Sequence, residues 1–281
     1  MIVVTGATGN VGRELVRILA AAGSRVTATS RNISDGDVPD GVRAVRSDLT
    51  DKGSLWPVLD GADALFLHDG GPSQHLLKPR EVIDAAHKSG VGRVVLLSSL
   101  GVVTRPESAS HGGMMRAVED AVRESGLAWT FLRPGAFHSN AYAWAEPVRA
   151  HRTAAAPFAD VALPTVDPAD IAAVAAVALR EDGHTGQAYE LTGPVPTTPR
   201  QRAAAIGAAL GEPVRFVEQT RQEAREQLLA FLPEPVVETT LAVLGEPTPA
   251  EQRVSPDVER LLGRAPRAFE EWARHNAAAF R

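Results

Sequence analysis

The chain has 281 residues, 44% hydrophobic and 22% charged, which is ordinary for a soluble globular protein of one large or two small domains. Its 29 basic and 34 acidic residues give a net charge of -5, against a basic nucleic-acid footprint, and the absence of cysteine excludes disulfides, thiolate metal sites and thiol nucleophiles. No apolar run reaches the ~18–20 residues needed to span a bilayer, and a strand starting at Ile2 leaves no room for a leader, so a cytoplasmic location is expected.

Met1 to Thr5 reads as a strand, followed by Gly6-Ala7-Thr8-Gly9-Asn10-Val11-Gly12 and a helix with Val11, Leu15, Ile18 and Leu19 on one face, ending near Gly23. Further strands are expected at Arg25–Thr29, Val42–Val45, Ala62–His68, Arg93–Ser99 and Ala128–Leu132. Helices are expected near Leu55–Leu59, at Glu81–Ser89 and at Met114–Ser125. This alternation predicts an α/β fold, a doubly wound parallel Rossmann sheet covered on both faces. Beyond Arg133-Pro134-Gly135 proline becomes frequent and the rhythm loosens. Asp167 to Leu179 reads as a helix capped by Asp167, with Pro168 in its first position. Helices at Pro199–Leu210, Arg221–Phe231, Val236–Leu244 and Phe269–Phe280 and strands at Ala188–Leu191 and Val214–Val217 complete the reading. Residues 1–150 are expected to form the NADP-binding Rossmann domain. Residues 151–281 are expected to be a smaller C-terminal substrate-binding portion, with a lid over 220–244 and no sharp boundary.

The glycine spacing lies between a strand and a helix. Glycine is needed there where the chain turns tightly, where backbone approaches a pyrophosphate and where helix meets strand. N–H groups at the helix start then face the anion. The candidate cofactor-binding residues are Gly6, Ala7, Thr8, Gly9, Asn10, Val11 and Gly12, joined by His68, Asp69 and Gly70 of the loop after the fourth strand. His68 and His75 have no matching third ligand, so no metal is expected.

The run TGATGNVG, with an interval of three between its first glycines, resembles the NmrA-like, atypical branch of the short-chain dehydrogenase/reductase superfamily. Ser47-Asp48-Leu49, Ser98-Ser99-Leu100-Gly101, Glu119 and the segment Ser125 to Phe137 with Asn140 extend the resemblance over about residues 1–140. It implies that Asp48 and Leu49 meet the adenine. It also implies an NAD(P)H-dependent oxidoreductase, among whose relatives are quinone reductases, azoreductases and atypical ketoreductases of aromatic polyketide pathways such as the simocyclinone-type angucyclinone reductases. The expected partner is a small aromatic carbonyl compound, with antibiotic biosynthesis as the setting. Oligomeric state is open.

NAD sites usually carry Asp or Glu about 20 residues past the glycines, on the ribose 2′-OH. Here Ser30-Arg31-Asn32 follows the second strand, and no carboxylate occurs until Asp35. A guanidinium pairs well with a 2′-phosphate, so Arg31 predicts a preference for NADP(H), with NAD(H) usable.

Superfamily reductases usually carry Tyr-x-x-x-Lys after the fifth-strand serine. This chain has three lysines, Lys52, Lys78 and Lys88, and two tyrosines, Tyr142 and Tyr189, none in that slot. His111-x-x-x-Met115 occupies it by spacing, and Met115 cannot ionise. Three readings stay open: His111 or water handles the proton; an acidic hydroxyl of the substrate supplies it; or the protein binds NADP(H) without chemistry, as a redox sensor. The candidate catalytic residues are Ser99 and His111. The candidate substrate-binding residues are Ser98, Met115, Phe137, Tyr142 and Phe231. The plain alternatives are a strand-capping serine, a loop histidine and aromatic side chains packing a domain junction.

Overall fold

The computed structural model describes residues 1–68, 77–108 and 111–281, with the side chains of all of these except Lys52 and His111. Asp69, Gly70 and His75 lie outside the described residues.

Seven parallel strands form the main sheet: β1 (Ile2–Thr5), β2 (Val26–Ser30), β3 (Arg43–Arg46), β4 (Ala64–Leu67), β5 (Arg93–Leu97), β6 (Ala128–Pro134) and β8 (Gln187–Leu191), in the order β3-β2-β1-β4-β5-β6-β8. The order reverses between β1 and β4, and ligands bind at such a switch point beyond the carboxyl ends of the strands. Strand alternation fills both faces. Val4, Ala28, Phe66, Val95 and Leu132 pack with α1 (Gly12–Ala21) and α7 (Pro168–Arg180). Val3, Leu65, Val94, Leu96 and Phe131 pack with α2 (Lys52–Leu59), α3 (Pro79–Lys88) and α5 (His111–Glu124). The doubly wound sheet expected from the sequence is the fold observed.

The main sheet takes in residues from both sides of residue 150, since β8 pairs with β6 and α7 packs against the sheet's face. A division there cuts through it. α7 begins as expected, with the Asp167 carboxylate accepting the Ala169 N–H at 2.8 Å and Pro168 in the first position.

Outside the sheet, α6 (Ala145–His151) leads into β7 (Thr153–Pro157), which pairs in parallel with β9 (Arg215–Gln219). β7 was not foreseen: its sequence, Thr-Ala-Ala-Ala-Pro, has no β-branched or aromatic residue beyond Thr153. α8 (Pro199–Leu210) and the C-terminal elements close over this small sheet, with Ile206, Phe269, Trp272 and Phe280 fully or nearly buried. The expected terminal helix is two pieces. α13 (Phe269–His275) stops where the Asn276 side chain donates to the Trp272 carbonyl at 2.8 Å, and a 3-10 turn covers Ala277–Phe280.

α9 (Arg221–Leu229) and α10 (Glu234–Gly245) form a helical pair around a small core of Ala224, Val237 and Leu241. Pro233 and Pro235 open α10 instead of interrupting a longer helix, because proline is tolerated where the first N–H groups have no partner anyway. The short α11 (Pro249–Gln252) follows.

Candidate active site

β1 ends in the glycine loop. Gly6 is left-handed, with φ 62°, and a Cβ there would press on His68 Cδ2 at 2.9 Å. A Cβ on Gly12 would overlap the Gly6 carbonyl, so only glycine allows α1 to start this close under the loop. The loop folds on itself through Gly9 N–H to the Gly6 carbonyl at 3.0 Å, and the Ala7 N–H is bonded to the Thr29 carbonyl at 3.1 Å. The N–H groups of Asn10 and Val11 have no acceptor among the described hydrogen bonds. These are the groups a helix start offers to an anion.

A cleft of about 220 Å³ runs from this loop over the ends of β2 and β3. Gly6, Thr8, Gly9, Arg31, Asp48, Leu49 and His68, all expected at the cofactor, line it. Val11 and Gly12 are buried under the loop rather than lining the cleft, and Asn10 is exposed. Asp48 is the carboxylate of this cleft, and its Oδ1 accepts the N–H and hydroxyl of Thr50 at 2.9 and 2.8 Å. Those bonds hold its carboxyl below the ordinary range. Thr5 fixes the neighbouring wall: its hydroxyl accepts the His68 N–H at 2.8 Å across the ends of β1 and β4.

His68 belongs to this cleft and also to a second, larger cavity of about 400 Å³. Desolvation pushes its imidazole down to about 4, so it is neutral near pH 7. The floor of the second cavity comes from the ends of β5 and β6: Ser98, Ser99, Leu100, Pro134, Ala136 and Phe137. Met115 of α5 forms a wall and is 2% exposed. Leu163 and Pro164 join them, and Thr239, Thr240, Val243 and Leu244 of α10 cover the opposite side.

The two serines differ. The Ser98 hydroxyl donates to Glu119 Oε1 at 2.6 Å. Glu119 is fully buried and also accepts from Arg133 Nε at 2.9 Å, from the Arg133 terminal nitrogen at 2.6 Å and from Arg123 at 2.7 Å. Ser98 thus ties the floor to a buried ion-pair network. Ser99 Oγ accepts the Gly101 N–H at 3.1 Å, a bond that does not use its own proton.

At the far end lies an ion pair between Arg105, just after the short α4 (Gly101–Thr104), and Glu251 of α11. It is bidentate: Arg105 Nε meets Oε1 at 2.7 Å and the second nitrogen meets Oε2 at 2.9 Å. The same Arg105 nitrogen donates to the Glu246 carbonyl at 2.9 Å at the end of α10. Burial alone would raise the Glu251 carboxyl, but Arg105 and the Thr248 N–H outweigh it and hold the group below the ordinary carboxylate range.

Two expected substrate residues are elsewhere. Tyr142 packs on Trp272 and Phe280 and donates to Asn276 at 2.5 Å, because the C-terminal aromatic cluster draws it away from the cavity. Phe231 lies in the turn between α9 and α10, 85% exposed; Thr239, Thr240 and Val243, further along α10, line the cavity instead. His111 heads α5, but its side chain lies outside the described residues. The sequence reading missed Arg105 and Glu251. They are 146 residues apart, and Thr248-x-x-Glu251 carries only the local signature of a helix cap, which it also is.

A glycine loop that excludes side chains, a cleft beyond β2 and an adjoining apolar cavity at the switch point define a dinucleotide-dependent protein of the Rossmann class. Residues 6–182 match a family model described as NAD(P)H-binding, and the chain belongs to that family. It is an NAD(P)H-dependent oxidoreductase, and its fold is shared with NmrA, a negative transcriptional regulator, at a TM-score of 0.72 and 22% identity over 97% of this chain and 94% of that one. It is 38% identical over 290 residues to the (4-alkanoyl-5-oxo-2,5-dihydrofuran-3-yl)methyl phosphate reductase of Streptomyces griseus, covering 100% of this chain and 99% of that one. It is 33% identical over 285 residues to the NAD(P)H azoreductase of Xenophilus azovorans, with 100% and 99% covered. Among solved structures, the NADPH-dependent quinone oxidoreductase of Escherichia coli complexed with NADPH superposes with a TM-score of 0.80 at 26% identity, covering 98% of this chain and 99% of that one. Among the described residues, no helix is long and apolar enough to cross a membrane.

Proposed function

We propose that this protein is an NADPH-dependent reductase of neutral, ring-conjugated carbonyl compounds: quinones foremost, and ketones conjugated to aromatic rings such as those of aromatic polyketides. The observation that carries this reading is the wall of the larger cavity. It is mainly apolar, Met115 stands where superfamily reductases keep lysine, and Arg105 is neutralised by Glu251. The relatives' names include a phosphate ester in one case and a quinone in another. A phosphate group calls for cationic or N–H donors not already committed. Among the described residues lining this cavity, Arg105 is paired and His68 is neutral, which supports the uncharged class. Arg31 in the smaller cleft, with Asp48 held by Thr50, supports the preference for NADPH.

NADPH, when bound, supplies the hydride. The chain's own residues must hold the acceptor oxygen, exclude water and tolerate the new oxyanion. Ser99 supports the first of these roles, because its hydroxyl lies at the cavity floor with the Gly101 N–H on its lone pair, and its proton serves the acceptor oxygen. Met115, Phe137, Leu163 and Val243 serve the second. The third selects the substrate. An alkoxide from an isolated ketone is about as basic as hydroxide and calls for a tuned acid. A hydroquinone anion is a phenolate, near pKa 10, which solvent protonates readily. A site without the tyrosine–lysine pair is therefore matched to quinones, whose reduced anion is a delocalised phenolate, and to aromatic ketones that carry a phenol hydroxyl beside the carbonyl, which gives its proton to the new alkoxide and becomes the phenolate.

The test is NADPH oxidation against quinones, hydroxylated polycyclic ketones and isolated ketones, for wild type, Ser99→Ala and His111→Ala. Quinones are expected to be consumed and isolated ketones left. Loss of one hydrogen bond in Ser99→Ala should lower kcat/KM about 10-fold. Turnover should survive in His111→Ala; its abolition would make His111 the proton source and end the phenolate argument. A wild-type protein that binds NADPH and consumes none with any quinone would refute the reading in favour of a sensor.

A further inference from the structure

We infer that Glu251 sets the charge selectivity of the acceptor cavity: by neutralising Arg105 it turns a site built around a guanidinium into one that rejects anionic acceptors. The inference rests on the proposed reductase reading and deepens it by naming the residue that defines its substrate class.

Four observations carry it. Arg105 and Glu251 both line the larger cavity, and their contact is bidentate, so the cationic fork faces a carboxylate rather than the cavity contents. Glu251 is 7% exposed, in a setting where an unneutralised charge would be felt strongly across the cavity. Its carboxylate also accepts the Thr248 N–H at 2.8 Å, so its position is fixed by its own helix and does not depend on Arg105 alone. Arg105 is held independently as well, through the Glu246 carbonyl at 2.9 Å. Taking the charge off Glu251 therefore leaves a positioned guanidinium beside the acceptor, which favours a sulfonate, carboxylate or phosphate on the ring.

The experiment uses 1,4-naphthoquinone and its 2-sulfonate as probes, with the full-length chain as wild type, Glu251→Gln and the double variant Arg105→Gln/Glu251→Gln. Dissociation constants are read by calorimetry, and kcat/KM by NADPH oxidation. The quantity compared is the ratio of sulfonated to parent quinone within each variant, so a general loss of activity cancels. Gln keeps the length and the cap acceptor of Glu251 while removing its charge. In Glu251→Gln the ratio should rise on the order of 10-fold in favour of the sulfonate, in binding and in turnover. The double variant, neutral again, should return to the wild-type ratio. A ratio unchanged in Glu251→Gln while wild type still reduces the parent quinone overturns the charge-selectivity inference and leaves the reductase reading standing. Parent quinone neither bound nor reduced by wild type overturns both.

Discussion

Glu119 is the strongest point at which to perturb this protein. Its carboxylate is fully buried between α5 and β6 and accepts four hydrogen bonds of 2.6 to 2.9 Å, from Ser98, Arg123 and twice from Arg133. Glu119→Ala would leave the Arg133 guanidinium, 13% exposed, without its counter-charge. Removing one partner of a buried pair costs about 3–5 kcal/mol. For a chain of 281 residues that corresponds to a fall in Tm of roughly 5–9 °C. Arg123 contributes less to the loss, because at 37% exposure it reaches water and also lies over the Trp129 and Phe131 rings. Replacing the pair by apolar residues of similar volume is often neutral, so Glu119→Leu/Arg133→Leu should recover most of the loss. Denaturant unfolding of wild type, Glu119→Leu, Arg133→Leu and the double variant gives the coupling directly. A Glu119→Ala variant within ~1 kcal/mol of wild type, or a double variant as unstable as the two singles added, would refute the reasoning. Because Ser98 is in the network, a folded Glu119→Gln should also loosen the cavity floor and raise KM for the acceptor more than for NADPH.

Three further expectations follow from the same geometry. Gly12→Ala places a Cβ on the Gly6 carbonyl, so dinucleotide affinity measured by fluorescence should fall at least ~10-fold while circular dichroism stays native. Arg31→Ala should raise KM for NADPH about 10- to 100-fold, the worth of a charge-assisted hydrogen bond, and leave NADH nearly unaffected; equal effects on both would remove Arg31 from the 2′-phosphate. His138 is 2% exposed between Thr165 and the Arg267 carbonyl, and desolvation pushes its imidazole from 6.5 down to about 4. The unfolded chain therefore binds a proton that the folded one refuses between these values. Stability should be full above pH 6.5 and fall by about 3 kcal/mol as pH drops towards 4. Urea midpoints at pH 7.5 and 5 measure this, and His138→Gln should roughly halve the difference, because His68 is also pushed down to about 4 and contributes comparably.

The sheet half of the molecule was legible because its signals are local. Glycine spacing, apolar runs and a proline-started, aspartate-capped α7 each act within a few residues, and the structure places Gly6, Thr8, Gly9, Arg31 and Asp48 around one cleft. The acceptor half was less legible because its determinants are tertiary. Tyr142 and Phe231 are ordinary aromatic candidates by composition, yet the first belongs to the cluster with Trp272 and the second faces solvent. Thr239, Thr240 and Val243 look like any helix face until α10 is docked.

Two residues link the cleft, the cavity and its cover. His68 bridges the cleft and the cavity as a neutral imidazole against Gly6, so the junction adds no positive charge near pH 7. Arg105 bridges in the other direction, from the loop after β5 to α10 and α11, so the helical pair is moored to the body by the same guanidinium whose charge Glu251 removes. Anchoring the cover and neutralising the cavity thus meet at one side chain. Glu251→Gln removes the counter-charge but leaves the Arg105 contact with the Glu246 carbonyl, so selectivity for charge changes while the cover stays moored. In a site with Met115 in place of the usual lysine, water exclusion and acceptor placement are what the chain itself contributes. Arg105 therefore has two separable contacts: the one with Glu251 bears on the charge of the cavity, and the one with the Glu246 carbonyl on how its cover is held.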